Sequence, residues 1–163
     1  MNMNLHRMTR IALLTTLSLC LFMLEAFLPL PLPVPGAKLG LAAIVTLIAL
    51  YLLPMHDAAL ILMLRILLSS FFGGGIAPML YSLAGGLTSF AGMALLKHHT
   101  RLSIIGISTA GAFLHNIAQL IAAVAVMQTT ALFTYAPLLG LVGIATGIVI
   151  GSTAKAILSK ITR

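Results

Sequence analysis

Long apolar runs separated by short breaks make up most of the chain. Each run is about 20 residues long, the length that an α-helix needs to cross the hydrocarbon core of a bilayer. The breaks contain the residues that end helices, namely prolines, glycines and short polar clusters. The pattern predicts an all-α integral membrane protein in which residues 1–163 form one domain, a bundle of six transmembrane helices.

Helix bounds follow from these breaks. The predicted helices cover residues 8–28, 37–53, 57–72, 77–96, 102–127 and 137–158. Asp57 is the expected N-cap of the third helix. A glycine triplet at residues 73–75 ends that helix, either in a turn or in a re-entrant bend. A polar turn is expected at residues 97–101 and a loop at residues 128–136.

Composition supports lipid as the surrounding solvent. The chain is 61% hydrophobic and only 7% charged, with a mean hydropathy of +1.17, so charged residues are too few to cover a water-facing surface. The net charge of +7 does not indicate a nucleic-acid partner, because the basic residues lie at the ends of apolar runs and form no basic stripe. The single Cys20 allows no disulfide within the chain.

Lysine and arginine placement predicts the orientation. Most of the 9 basic residues fall on one side of six spans. They are Arg7, Arg10, Lys97, Arg101, Lys155, Lys160 and Arg163. Lys38 alone falls on the other side, and Arg65 lies within a span. Since cytoplasmic loops carry the excess of positive charge, we expect a multi-pass protein of the cell membrane with both termini in the cytoplasm.

Arg65 is the polar residue that most needs an explanation. It lies about 12 Å into the third predicted helix, near the middle of a bilayer. An arginine at that depth costs about 2.5–3.5 kcal/mol, so it should face the bundle interior and have a partner. One interpretation is a structural pair with Glu25 or hydrogen bonds to helix carbonyls. The other is an anion-binding group in a cavity.

Two further polar groups fall in the same outer half of the bundle. His115 and Gln119 share a face of the fifth helix, and Asn116 lies beside them. Lys38 lies in the first turn of the second helix, where free N–H groups attract anions. The simpler interpretations are a polar contact between helices and a lysine that reaches the membrane interface.

Small residues recur at helical spacing in two places. Gly143, Gly147 and Gly151 follow one another at four-residue intervals in the sixth helix, and Ala12 and Thr16 repeat the spacing in the first. Such ridges let helices approach closely in lipid. They predict either packing within the bundle or a docking face for another membrane protein.

Catalytic groups and metal ligands are sparse. The two acidic residues, Glu25 and Asp57, fall on opposite sides of the membrane in the six-span arrangement, whereas a catalytic magnesium site needs clustered carboxylates. The chain also lacks a phosphate-binding P-loop. We therefore expect no cofactor, no metal and no enzymatic activity.

A family resemblance covers nearly the whole chain. It is carried by PGAKLGLAAIVTLIALYLL, LRILLSSFFGGG, SLAGGLTSFAGMALL, GAFLHNIAQLIAA and TGIVIG. These strings resemble the heptaprenyl diphosphate synthase component I family, also called the Gx transporter family. The resemblance implies a fold like the six-helix S components of energy-coupling-factor transporters. Such components bind a vitamin-like solute from outside and associate with a transmembrane T component and two ATPases.

The name of the family also implies a link to prenyl diphosphate synthesis. Synthases of the usual type hold magnesium and diphosphate on aspartate-rich motifs, and this sequence has none. The chain would then be an accessory to a separate catalytic subunit. The resemblance further implies a possible role near flavin, quinone or extracellular electron-transfer components.

Together these patterns predict an S-component-like protein that binds a small anionic or amphipathic solute. Lys38 and Arg65 would contact the anion, with Glu25 paired to a basic group. Orienting hydrogen bonds would come from His115, Asn116 and Gln119. Two alternatives stay open: a noncatalytic partner of a prenyl diphosphate synthase, and a structural subunit of a membrane redox complex. A polar interior at Arg65 favours binding, whereas a fully packed interior favours the structural role.

Overall fold

The computed structural model describes residues 5–27, 40–73 and 75–161. Within these ranges the chain is helical apart from short breaks between helices, and it has no strands. The elements are α1 (Leu5–Ala26), α2 (Leu41–Leu52), α3 (Met55–Gly73), α4 (Ile76–His99), α5 (Ile104–Met127), the 3₁₀ helix η1 (Thr130–Tyr135) and α6 (Ala136–Ile161). The prediction of an all-α bundle of six helices is confirmed.

Five of the six helices are long and apolar enough to cross a membrane. The exception is α2, whose 12 residues rise about 18 Å, well short of the hydrocarbon thickness. Its residues 45–50 are all buried, so α2 lies inside the bundle with little exposure to lipid. The protein is therefore a multi-pass membrane protein with one short central helix.

The helices α2 to α6 form a closed ring. In this ring α2 contacts α3, α3 contacts α4, α4 contacts α5, α5 contacts α6, and α6 returns to α2. Helix α1 lies outside the ring, against α2 and α3. This arrangement leaves an interior enclosed by five helices and covered on one flank by α1.

Contacts at the helix ends show which ends meet. Arg7 at the start of α1 bonds Asp57 at the start of α3, and Lys97 near the end of α4 donates to the carbonyl of Leu50 near the end of α2 at 2.6 Å. Helices α5 and α6 run antiparallel, because Gly151 near the end of α6 meets Ile105 at the start of α5. We call this end of the bundle, which carries most of the basic residues, the basic end.

The start of α3 differs from the prediction. The helix begins at Met55, after Pro54, whose carbonyl accepts from the backbone N–H groups of Asp57 and Ala58. Asp57 as an N-cap is therefore wrong. Its carboxylate is instead held by Arg7, a long-range partner that local spacing does not indicate.

The end of α4 also differs, because the predicted turn at residues 97–101 begins too early. Lys97, His98 and His99 form the last helical turn. Basic side chains in that position interact favourably with the negative end of the helix dipole. Lys97 additionally lies 4.7 Å from the ring centre of Tyr51, which fixes the end of α4 against α2.

Helix α2 begins four residues later than predicted. Gly40 precedes it with φ of 81°, a left-handed conformation that glycine adopts without steric cost. Lys38 lies outside the described residues, so its predicted role in anion contact stays a prediction. The other changes are small: α1 ends at Ala26, and the loop expected at residues 128–136 contains η1.

The two small-residue ridges lie in different places. Gly143, Gly147 and Gly151 are buried against α5. A Cβ atom added to Gly147 would lie 2.5 Å from the Cα of Thr109, so no side chain fits between the two backbones. Ala12 and Thr16 are exposed on the outer face of α1, away from the ring.

Candidate functional site

A cavity of about 230 Å³ lies inside the helix ring, and all six helices contribute residues to its lining. Five of the residues singled out in the sequence meet there. They are Glu25, Arg65, His115, Asn116 and Gln119. The cavity therefore lies where the sequence predicts a site, and polar side chains interrupt its largely apolar lining.

Arg65 reaches the cavity from the middle of α3. It lies ten residues beyond Met55, so it is about 15 Å from the basic end. Its Nε is fully buried and has no hydrogen-bond partner in the described part of the chain. The side chain keeps some accessible surface because its guanidinium faces the cavity. A charged side chain is thus held at membrane depth in the wall of the cavity.

Glu25 holds the start of α2. One of its carboxylate oxygens accepts from the N–H of Gly40 at 2.6 Å, and the other accepts from the N–H of Leu41 at 3.1 Å. The carboxylate therefore binds the N-terminus of α2, where the helix dipole favours an anion. It also lies close enough to act electrostatically on Arg65. The protein fills this helix N-terminus with its own carboxylate.

His115 on α5 is positioned by a glycine on α4. A Cβ atom added to Gly85 would lie 2.9 Å from Cε1 of the His115 ring and 3.0 Å from each ring nitrogen. The imidazole therefore packs directly on the α4 backbone, which only glycine permits. From there it lines the cavity and lies within electrostatic reach of Arg65.

Asn116 is partly used for packing. Its Nδ2 donates to the backbone carbonyl of Leu139 on α6 at 2.9 Å. This bond supports the simpler interpretation, a polar contact between helices, for that half of the side chain. Gln119, one turn away from His115, also lines the cavity. The α5 residues therefore serve the α5–α6 contact and the cavity wall together.

A comparison with protein-family models matches residues 14–157 to the family described as heptaprenyl diphosphate synthase component I. The chain belongs to this family. The matched range contains every residue that lines the cavity, from Phe22 to Ile150. No curated protein and no solved structure matches the chain.

This component I chain has cavity residues that sequence reasoning missed. They are the hydroxyl-bearing side chains Thr46, Tyr81, Ser82, Ser89 and Thr146. Serine and threonine in apolar helices commonly bond their own backbone, as Thr109 does to the carbonyl of Ile105 at 2.8 Å, so their presence alone is no signal. The seven-residue spacing of Ser82 and Ser89, which puts both on one helix face, could have indicated a shared lining.

Thr46 adds a second unpaired polar atom. Its Oγ1 is buried without a hydrogen-bond partner in the described part of the chain. Buried polar groups in proteins almost always find a partner in protein or ordered water. Arg65 and Thr46 therefore give the cavity of this component I chain two groups that a polar occupant would satisfy.

The lining offers hydrogen bonding and charge but no metal ligands in a cluster. Among the described residues, no three His, Cys, Asp or Glu side chains lie together. The arrangement is suited to holding a polar molecule in a fixed orientation, with Arg65 and the hydroxyl groups as contacts.

Proposed function

We propose that this component I protein is a membrane solute-binding protein, of the S-component type, for a small anionic or amphipathic molecule. The observation that carries the proposal is the Arg65 guanidinium, which lines the cavity and whose Nε has no hydrogen-bond partner in the described part of the chain. Intramembrane arginines usually face a bundle interior or a water-filled cavity and mark a substrate pathway.

Energetics favour a ligand over a purely structural arginine. A charged side chain at the centre of a transmembrane helix costs about 2.5–3.5 kcal/mol, and a structural role would repay that cost through hydrogen bonds within the protein. Arg65 receives electrostatic support from Glu25, while the hydrogen bonds of the Glu25 carboxylate include two to the α2 backbone. An anionic ligand group would supply the missing hydrogen bonds.

Cavity size supports a small solute. An apolar cavity of about 150 Å³, engineered into the core of another protein, is large enough to hold one benzene molecule. The 230 Å³ cavity therefore has room for a molecule of roughly ten non-hydrogen atoms. A structural subunit of a redox complex would be expected to have a fully packed interior. A cavity of this size therefore disfavours that alternative.

Transport would need partners, and the outer face of α1 is the surface we propose for them. Helix α1 stands outside the ring, and its exposed Ala12 and Thr16 would let a transmembrane T component approach closely. Such a component would be driven by two ATPases, since the chain itself has no P-loop. In this proposal the termini and the basic end face the cytoplasm.

The proposal is tested by native mass spectrometry of purified protein. Wild type should carry a co-purifying small molecule, and Arg65→Gln should lose it while keeping its melting temperature. Arg65→Lys should retain part of the occupancy, because lysine keeps the charge but lacks the planar fork. Arg10→Gln, which removes an equal charge from an exposed position, should stay fully occupied. Full occupancy of Arg65→Gln would contradict the proposal.

A second candidate rests on the name of the family. The chain would be a noncatalytic membrane partner of a heptaprenyl diphosphate synthase, held to the catalytic subunit at the basic end. The cavity could not hold the product of such a synthase, because 230 Å³ is far too small for a chain of seven prenyl units. The test is co-purification of a synthase subunit and a change in its product length on removal of this chain. If the product length of the synthase depends on this chain, and Arg65→Gln leaves that product length unchanged, this role would be favoured over solute binding.

A further inference from the structure

We infer that the solute carries a single carboxylate group on a narrow body of roughly ten non-hydrogen atoms, and that the cavity rejects diphosphates. This inference rests on the proposed function and names the chemical class of its ligand. It is carried by the juxtaposition of Arg65, Glu25 and Thr46 around one cavity.

The first step concerns charge. Among the described residues that line the cavity, Glu25 and Arg65 carry the full charges. Glu25 is stabilised by the N–H groups of Gly40 and Leu41 and by the positive end of the α2 dipole. The Nε of Arg65 has no hydrogen-bond partner among the described residues. Arg65 is therefore the charge with the fewer hydrogen-bond partners among the described residues, and one anionic group on the ligand can pair with it.

The second step excludes more highly charged ligands. A diphosphate brings two or three negative charges into a site where Glu25 already contributes one. Charges that leave water without a hydrogen-bonded partner are strongly disfavoured, even after the protein relaxes. The hydroxyl groups of Ser82, Ser89 and Ser108 donate weakly by comparison with a second cation. A diphosphate would therefore bind with an uncompensated charge.

The third step is the shape of the free donor. The Nε–H of arginine and a neighbouring Nη–H point in parallel, so together they bind both oxygens of a planar carboxylate. In Arg65 it is the buried Nε that has no partner. A carboxylate that approaches the guanidinium from its side satisfies this atom, whereas a contact with the terminal nitrogens alone does not.

The fourth step sets the length of the ligand. Counted from the basic end, Arg65 on α3 and His115 on α5 lie at about 15 and 17 Å, and Thr46 on α2 lies at about 9 Å. The unpaired hydroxyl of Thr46 is thus roughly 6 Å along the bundle axis from the arginine. A carboxylate at Arg65 and a hydroxyl or ring nitrogen about one aromatic ring away would satisfy both groups.

Three probes test the inference on the full chain in lipid nanodiscs, with calorimetry and thermal shift as readouts. The first is 4-hydroxybenzoate, which has one carboxylate and a hydroxyl across a ring. The second is 4-hydroxybenzamide, its neutral isostere, and the third is isopentenyl diphosphate. We expect wild type to bind 4-hydroxybenzoate at least tenfold more tightly than either of the others. Arg65→Gln should abolish the preference for the acid over the amide, and Arg10→Gln should leave it unchanged.

A second variant separates binding from folding. Thr46→Val keeps the side-chain shape and removes the hydroxyl, so it should weaken the binding of 4-hydroxybenzoate several-fold. Benzoate lacks the hydroxyl, so it should bind wild type and the variant with equal affinity. Tighter binding of isopentenyl diphosphate than of 4-hydroxybenzoate, or equal binding of acid and amide, would overturn the carboxylate inference. The proposed function would survive either result if a molecule still co-purifies and depends on Arg65. Absence of both probe binding and a co-purified molecule would overturn both.

Discussion

Arg7 on α1 donates hydrogen bonds to the Asp57 carboxylate on α3 from two nitrogens. Its Nε lies 3.0 Å from Oδ1 and 2.9 Å from Oδ2, and its Nη2 lies 2.5 Å from Oδ1. The Asp57 side chain is 3% exposed and the Arg7 side chain 28%. This pair joins the helix outside the ring to the ring itself at the basic end. It therefore fixes the start of α1 against the start of α3.

We expect Arg7→Gln to lower the melting temperature of the purified protein. The substitution leaves the buried Asp57 carboxylate without its strongest donor, and breaking one side of such a pair costs more than removing both. The double variant Arg7→Gln/Asp57→Asn should regain much of the loss. Arg10→Gln is the matched control, because Arg10 is exposed, and it should change little. An equal effect of the Arg7 and Arg10 substitutions would show that the pair does not hold α1.

Glu25→Gln should destabilise the protein by about 1.5–3 kcal/mol, since it removes charge-assisted hydrogen bonds to the first N–H groups of α2. A glutamine can accept at one atom only, so the N–H of either Gly40 or Leu41 loses its acceptor. Chemical denaturation in detergent measures the change. A loss below about 0.5 kcal/mol would mean that the carboxylate does not fix the start of α2.

The same variant, combined with Arg65→Gln, distinguishes a structural pair from a ligand-binding arginine. If Arg65 only balances Glu25, the double variant should recover stability relative to the single variants. We expect instead that the losses in free energy of unfolding from the two single substitutions add to within about 0.5 kcal/mol. The reason is that Glu25 is stabilised by the α2 backbone and Arg65 faces the cavity. Recovery by more than that margin would favour the structural pair.

Much of this architecture could be predicted from helix breaks and from the depth of polar residues. Proline and glycine positions located six helices, and the placing of Arg65 and His115 in one half of the bundle predicted that they would meet. The position of α1 outside the ring could not be predicted. Helices in lipid are apolar on nearly all faces, so the sequence does not show which face is inside.

The same limit explains the missed contacts. Asp57 looked like a local N-cap, and only the fold brings Arg7 to it across 50 residues. The hydrogen bonds from Glu25 to the α2 backbone were not predicted, because they depend on where Gly40 turns. Thr46 gave no signal because a threonine in an apolar helix is common. Side-chain partners between helices depend on packing, which spacing within one helix does not encode.

The α5–α6 contact should be intolerant of any side chain at Gly147. A Cβ atom there would lie 2.5 Å from the Cα of Thr109, a backbone atom that cannot move without shifting the helix. Gly147→Ala should cost about 1–3 kcal/mol, and Gly147→Leu should abolish folding. Gly106→Ala is the control, since its Cβ would meet nothing closer than 3.6 Å. Equal melting temperatures for Gly147→Ala and Gly106→Ala would contradict this close approach.

Cysteine labelling tests the proposed orientation on a Cys20→Ser background. Thr100, beside the end of α4, lies at the basic end, and Thr134, in η1, lies at the opposite end; both are exposed. An impermeant reagent added to intact cells should label Thr134→Cys and reach Thr100→Cys only after permeabilisation. Labelling of Thr100→Cys alone in intact cells would invert the orientation and place the opposite end of the bundle in the cytoplasm.

Gly85→Ala should reduce solute binding more than it reduces stability. The added methyl group would lie 2.9–3.0 Å from three atoms of the rigid His115 ring, so the imidazole must leave its place beside Arg65. Gly92→Ala on the same helix is the matched control, because its methyl group would meet the flexible end of Leu114, which can rotate away. Occupancy measured by native mass spectrometry should fall in Gly85→Ala and persist in Gly92→Ala, with similar melting temperatures. If both variants kept the solute, the position of His115 would not matter for binding.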